Sequence, residues 1–430
     1  MNPQAIELNQ LIQQKNATVY DLLSEKGKAA FFPKSGILGQ TAQAKGKKIN
    51  ATIGAAIEDD GTPMRLQSIA SKVDLDPAKI FPYAPSYGRP DLRQKWQSMI
   101  VEKNPTLKGK EISLPVVTNA LTHGLSILGQ MFFDVEEKVV LSDLFWGNYN
   151  LVFKQPYAVQ FDVYNTFKNG ALDVDALEKK LLDGAVEKKV VLLNFPNNPT
   201  GYSPTRDEAK TIIAIIKRSA DQGSKLLVIL DDAYFGLVYN QDVYKESLFA
   251  ELADLHENVL AVKVDGSTKE DYVWGFRVGF VTYGIKGGDK EIYSALEAKT
   301  AGLIRGNISN APNISQSLLL EAYSSPDYAK EKQEKGEILK SRYEAVASIL
   351  NKKSEYAEYF TPLPFNSGYF MCVQLKEGID GEVLRNLLLD EYSTGVIWAA
   401  GVIRLAYSAV PESLIAELFD NLYKACKKLV

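Results

Sequence analysis

Residues 263–281 read KVDGSTKEDYVWGFRVGFV. An apolar run over 260–264 closes on the turn residues Asp265 and Gly266, and a second apolar run opens at Arg277. Lys269 and Arg277 stand eight positions apart, with Gly275 and Gly279 around the second of them. Flanking runs of this kind read as buried strands. A lysine and an arginine held so near one another in such a stretch ask for one ligand that engages both.

Working outward, the pattern repeats. Short apolar runs lie at 115–118, 138–142, 188–195, 225–232, 258–264 and 277–283, each bounded by turn residues. Segments of helical spacing lie between some of them. In 205–222 the residues Ala209, Ile212, Ile213, Ile216 and Ala220 predict one apolar stripe. Continuous apolar strands alternating with helices predict an α/β fold, a mostly parallel central sheet between helices. The pattern changes after about residue 325: a long charged helical segment (328–353), a strand (369–375), a helix (381–392), two short strands and a terminal amphipathic helix. These predict a smaller α+β domain. The division expected is a large domain over 49–327 and a small one from 1–48 and 328–430.

Composition narrows the function classes. The chain has 430 residues, 46% hydrophobic and 24% charged, with net charge −4. That argues against a polyanion-binding surface, so no nucleic-acid partner is expected. Two cysteines, Cys372 and Cys426, give no disulfide framework and fit a reducing compartment. The first 20 residues lack the apolar centre of a signal peptide, and no run of 18 apolar residues occurs, so a cytoplasmic protein without a membrane span is expected. Only His123 and His256 are present, which disfavours a His-rich metal site or a Ser-His hydrolase.

In an open parallel sheet, ligands sit beyond the carboxyl ends of the strands. After 115–118 come Asn119, Ala120 and Leu121, opening a helix whose amides suit an anion. After 138–142 comes Trp146; after 188–195, Asn198; at the end of 225–232, Asp231, with Tyr234 just beyond; after 258–264, Lys269 and Arg277. One mouth gathers an aromatic plate, an amide, a carboxylate, a phenol, a lysine and an arginine. The set suits a flat, anionic, electron-accepting cofactor that carries an aldehyde. Taken singly, each piece has an ordinary reading: NNPTG (197–201) is a turn sequence, Trp146 a core residue, Asp231 a helix cap. Several in fixed order are far more specific.

From about Ile49 to Arg404 the chain resembles the class I aminotransferases of the fold-type-I pyridoxal-phosphate enzymes, and most closely their aspartate and aromatic amino-acid branch. The resemblance rests on INATIGAAIEDDGTP (49–63), YAPSYG (83–88), FWGN (145–148), NNPTG (197–201), DDAY (231–234), STKEDYVWGFRVG (267–279), IRGNISN (304–310) and IRLAYS (403–408). It implies pyridoxal 5′-phosphate joined to Lys269 as a Schiff base, and Lys269 as the general base and acid of a ping-pong transamination. Arg277 would bind the phosphate and help depress the lysine's pKa. Asp231 would face the pyridine nitrogen, where a carboxylate at contact offers roughly 4 kcal/mol at an effective dielectric near 20. Tyr234 and Asn198 would bond the ring oxygen, Trp146 would stack on the ring, and Ser267 or Thr268 with the amides of Ala120 and Leu121 would hold the phosphate.

The same resemblance implies a homodimer with shared active sites. Tyr83 would reach the cofactor phosphate from the neighbouring subunit. Arg404 would take the substrate's α-carboxylate and Arg305 the distal carboxylate across the interface, with Thr52 in the substrate loop. The substrates implied are aspartate, tyrosine or phenylalanine with 2-oxoglutarate. Departures from the family pattern are Gly266 where a hydroxyl is common, Tyr149 where a histidine often supports the ring aspartate, and Thr52 where a glycine is common. A lyase or decarboxylase on the same cofactor is the alternative. A regulator carrying such a domain would need a DNA-binding segment, and the first 48 residues show no helix-turn-helix.

Overall fold

The computed structural model describes residues 1–31 and 36–430. Its central sheet has seven strands: β1 (Val116–Thr118), β2 (Lys138–Ser142), β3 (Gln160–Tyr164), β4 (Lys188–Asn194), β5 (Lys225–Asp231), β6 (Val259–Asp265) and β7 (Gly279–Gly284). Their spatial order is β1-β7-β6-β5-β4-β2-β3. Only β7 runs antiparallel to its neighbours, β1 and β6. In β4 and β5 every residue after the first lysine is buried. Alternate residues face opposite cores: Val191 and Leu193 join one, Val190 and Leu192 the other. Burial on both faces is what a continuous apolar run requires.

Helix α1 (Ala120–Phe132) packs on one face of the sheet and α2 (Arg206–Asp221) on the other. A reciprocal capping box, Thr205 with Glu208, starts α2. Its buried stripe uses Ile215 together with Ala209, Ile212, Ile216 and Ala220. Ile213, expected in that stripe, is half-buried at the rim of the core. The edge strand β3, QFDVY, was not foreseen, because its mixed polarity carries no apolar run; an edge strand is half-solvated and needs none.

A second core has its own four-stranded antiparallel sheet, in the order Phe360–Pro362, Met371–Leu375, Val402–Leu405, Ile397–Ala399. Ile49 and Ala51 belong to this core, and Ile49–Asn50 pairs in parallel with Thr394–Gly395. Helix α3 (Lys290–Asn307) packs against α1. Helix α4 (Tyr328–Lys352) joins the two cores, with Leu339 in the first and Val346 in the second. The helices over 3–29 pack on one another, and the last of them meets the short helix Gln155–Tyr157, where Gln155 donates to the Ala29 carbonyl at 2.7 Å. Among the described residues no helix is long and apolar enough to cross a membrane.

Candidate active site

The carboxyl ends of β1, β4, β5 and β6 meet at a cavity of about 190 Å³. It is lined by Ala120, Leu121, Trp146, Asn198, Asp231, Tyr234, Thr268, Lys269 and Arg277, with Thr122, Asn194 and Ala233 completing it. Residues more than 100 positions apart converge here because parallel strands bring all their ends to one edge.

Close backbone approach builds the anion end. Ala120 holds φ +64 at the first position of α1. A Cβ on Gly279 would lie 2.6 Å from the Ala120 carbonyl carbon and 2.9 Å from the Leu121 nitrogen. On Gly266 a Cβ would lie 2.6 Å from the Val278 oxygen. These glycines let the Lys269 segment and the start of β7 press against the helix start. Arg277 adopts φ +56, so β7 begins two residues later than the apolar run that starts at Arg277 predicts.

Lys269 sits on a single helical turn, Ser267–Glu270, and its carbonyl accepts from the Tyr369 hydroxyl at 3.0 Å. The ammonium lies 5.0 Å from the centre of the Tyr234 ring. Burial lowers the amine to about 8; Asp231 opposes that and Arg277 adds to it. The arginine therefore contributes to the depression but desolvation dominates it.

Asp231 is 3% exposed at the end of β5. Its Oδ2 accepts from the Tyr149 hydroxyl at 2.5 Å and its Oδ1 from the Ala233 amide at 3.2 Å. Burial raises its carboxyl to about 6, against the Tyr149 bond and Lys269, which lower it. Among the described residues lining the cavity it is the only carboxylate. Tyr149 thus fills the supporting position where a histidine is common. Replacing it with phenylalanine would leave Oδ2 buried without that donor and push Asp231 higher still. The expected result for Tyr149→Phe is cofactor binding weakened by about tenfold or more, read as a dissociation constant by fluorescence titration.

Arg404 rises from the second core into the same region, 4% exposed. Its Nη1 donates to Asn198 Oδ1 at 3.2 Å and its Nη2 to the Thr52 carbonyl at 3.0 Å. The guanidinium carbon lies 4.4 Å from the centre of the Phe370 ring, and Nε has no partner among the described residues. Thr52 is buried, with its hydroxyl turned to Asn50 Oδ1 at 2.6 Å, so its backbone rather than its side chain meets Arg404. Burial pushes the Tyr234 phenol above its ordinary value, while Arg404 and a bond from Asn198 pull it back.

Two of the expected site residues lie away from the cavity. Tyr83 is 92% exposed in a shallow groove with Pro82, Arg89 and Asn313. Arg305 is exposed in the last turn of α3. The two segments are neighbours: Ser86 Oγ donates to the Ser309 carbonyl at 2.7 Å. Ser267 is fully buried and does not line the cavity, whereas Thr268 does. Both hydroxyls are buried without a partner among the described residues. The sequence reading left out Asn194, whose Nδ2 donates to the Asp231 carbonyl at 2.8 Å and whose Oδ1 accepts from the Asn198 amide at 2.8 Å. It also left out Phe370 and Tyr369. Both look like ordinary core residues of a strand, and only their contacts with Arg404 and Lys269 distinguish them.

The site's chemistry is therefore specific. It offers a partly neutral amine, a buried carboxylate, a phenol, an aromatic plate, an anion cradle with orphaned donors, and a buried guanidinium with a free Nε. The chain matches the family description "Aminotransferase class I and II" over residues 47–422, and it belongs to that family. Enzymes of the family use pyridoxal 5′-phosphate, and the cradle, the amine and the carboxylate fit its phosphate, aldehyde and ring nitrogen. Among relatives, the chain is similar to an aspartate aminotransferase of Bacillus sp. (strain YM-2), 27% identical over 411 residues, which are 91% of this chain and 96% of that one. Among solved structures, it is similar to an aminotransferase from Anaerococcus prevotii (TM-score 0.81, 22% identity, 94% of this chain and 99% of that one). An aromatic amino acid aminotransferase from Burkholderia cenocepacia also shares the fold (TM-score 0.73, 21% identity, 93% of this chain and 98% of that one).

Proposed function

We propose that this aminotransferase moves the amino group of aspartate, tyrosine or phenylalanine to 2-oxoglutarate by a ping-pong cycle, as a cytoplasmic homodimer with shared sites. The observation that carries the reading of an amino-acid substrate is Arg404, a buried guanidinium whose Nε is unpartnered and whose bonds go to neutral oxygens among the described residues. An uncompensated buried cation is costly, so a carboxylate ligand is strongly favoured there.

Pyridoxal phosphate, when bound, supplies an aldehyde for the amino group and an electron sink for the charge left at Cα. The residues do the rest. Arg277, Thr268 and the amides of Ala120 and Leu121 hold the phosphate; Ser267, walled off from the cavity, does not. Asp231 keeps a proton at the ring nitrogen. Tyr234 and Asn198 bond the ring's oxygen, and Trp146 covers the ring face. Lys269 takes the proton from Cα and returns it on the cofactor side, a task suited to an amine with a pKa of about 8. Arg404 seats the α-carboxylate, with the Thr52 loop above it.

For the dimer, the support is the surface. Tyr83, Phe81 and Arg305 are exposed on adjoining segments, and two large aromatic side chains left that open suit burial by a second copy. We assign Tyr83 to the neighbouring subunit's phosphate and Arg305 to the distal carboxylate of its substrate. The large part over 49–327 would carry the cofactor, and the parts over 1–48 and 328–430 would form the smaller domain. The two free cysteines, both buried, fit the cytoplasm.

Turnover with aspartate, tyrosine, phenylalanine and alanine, each with 2-oxoglutarate, tests the substrate class. For Arg305→Leu the expected outcome is a fall of about 100-fold in kcat/KM for aspartate with less than about threefold for phenylalanine. Equal loss for every substrate removes Arg305 from the distal seat.

A further inference from the structure

Two acidic residues directly follow Lys269, and both are buried: Glu270 is 4% exposed and Asp271 0%. Buried carboxylates persist only when paired and hydrogen-bonded. Lys103, at the end of helix Pro90–Lys103, donates to Glu270 Oε1 at 2.5 Å. Lys332, in the second turn of α4, donates to the same oxygen at 2.6 Å and reaches Asp271 Oδ1 at 3.3 Å. Tyr323 and Tyr328 complete the Asp271 carboxylate at 2.8 and 2.7 Å. Burial would push Glu270 up, yet the two lysines outweigh it and hold the carboxyl below its ordinary value.

The turn that carries Lys269 cannot hold its own shape. It has four residues, and an isolated turn of that length is unstable. Beyond it, Tyr272 takes φ +58, a strained position for a bulky residue. Tertiary contacts must fix the segment, and the charged ones converge on Glu270 and Asp271.

Helix α4 has other anchors along the same flank. Lys335 donates to Glu58 Oε1 at 2.7 Å, and Arg342 bonds Asp59 Oδ1 at 2.9 Å and the Ser408 carbonyl at 2.6 Å. Glu58 and Asp59 belong to the loop that begins at Thr52, whose carbonyl sits on Arg404. A 25-residue helix is a rod of roughly 37 Å. One rod therefore grips the carboxylate-seat loop and the two residues after the catalytic lysine.

We infer that Lys332 is a positioning residue: through Glu270 and Asp271 it orients Lys269 and links that lysine, by way of α4, to the loop over Arg404. The inference rests on the proposed role of Lys269 and goes beyond it, because nothing in transamination chemistry requires acids at the next two positions. Charged and titratable groups facing Lys269 are Asp231 from β5, Tyr234 after it, and Arg277 before β7. Removing the Lys332 cation leaves Glu270 and Asp271 less compensated. Their field then favours the protonated form of the Lys269 nitrogen.

The test uses the full chain as wild type, Lys332→Met and Lys332→Arg. The first readout is the midpoint of the pH-dependent visible absorbance of the Lys269-linked cofactor. The second is amide hydrogen exchange over 267–273 in cofactor-free protein. In Lys332→Met the midpoint should rise by roughly half a unit or more and exchange should quicken about tenfold or more. Lys332→Arg should restore both. Glu58→Gln, which removes the Lys335 anchor at the loop end of the rod and leaves Arg342 on Asp59, should quicken the same exchange to a lesser degree. A Lys332→Met protein matching wild type in midpoint and exchange overturns the positioning role, and unchanged exchange in Glu58→Gln overturns the link to the loop. Absence of a visible chromophore in wild type would instead overturn the role of Lys269 itself.

Discussion

Lys269→Ala is expected to lower turnover by at least about 10,000-fold and to remove all covalently held cofactor. The magnitude follows from the absence of a substitute. Among the described residues lining the cavity, the only other cation is Arg277, and a guanidinium neither attacks an aldehyde nor gives up a proton near neutrality. Lys269 is suited to both tasks because burial brings its pKa to about 8. At pH 7 about a tenth of such amines are neutral, roughly 300 times the fraction for an unperturbed lysine. Borohydride reduction of the loaded protein, followed by peptide mass mapping, should place the label within 263–281 in wild type. The alanine variant should give no label there. Cofactor should still bind it reversibly, since Arg277, Asp231 and the Ala120–Leu121 turn remain. A label on another lysine in wild type, or turnover within tenfold in the variant, would contradict the assignment.

The sequence made the sheet legible because a doubly covered strand leaves a continuous apolar run, as in 188–195 and 225–232. Strand-end residues such as Asp231, Asn198 and Lys269 followed from the rule that a parallel sheet gathers its ligands at one edge. What remained hidden depends on contacts between segments far apart in the chain. The edge strand β3 carries no run because one of its sides meets solvent. Phe370 and Tyr369 look like any aromatic pair in a strand, and only the fold sets one beside Arg404 and the other on the Lys269 carbonyl. Ser267 and Thr268 are adjacent hydroxyls, and backbone geometry alone turns Thr268 toward the cavity. Tyr83 and Arg305 could not converge within one protomer, since their proposed roles depend on a second copy. The partners of Glu270 and Asp271 were equally invisible: two consecutive acids after a lysine look like a solvated surface turn until Lys103 and Lys332 are seen on them.

Asp231→Asn should separate the requirement for activity from the requirement for stability. In the cofactor-free protein the Asp231 carboxyl is raised from 3.8 to about 6 by burial. A carboxyl raised in the folded state stabilises the fold fully below its unfolded value and loses that contribution as pH climbs through the folded one. The loss therefore falls between about pH 4 and pH 6, and at pH 7 the buried carboxylate costs roughly 3 kcal/mol. Asparagine removes that cost. Its amide oxygen can still accept from Tyr149, but Nδ2 then faces the Ala233 amide, which donates to Oδ1 in wild type. That mismatch offsets about 1 kcal/mol, so a net gain of about 1–2 kcal/mol at pH 7 is expected, with a flatter profile between pH 4 and pH 6. Activity should move the other way. A neutral amide cannot keep a proton on the ring nitrogen, and a contact worth roughly 4 kcal/mol is lost, about a 1,000-fold fall in kcat. Denaturant unfolding of cofactor-free protein from pH 4 to 8, beside single-turnover rates of loaded protein, measures both. A variant less stable than wild type at pH 7 would mean that the carboxylate is held by donors rather than strained by burial. Retention of kcat within tenfold would mean that Asp231 does not face the ring nitrogen. The expected pairing, a stabler protein that no longer turns over, arises because the buried charge is matched only when a cationic ring lies against it.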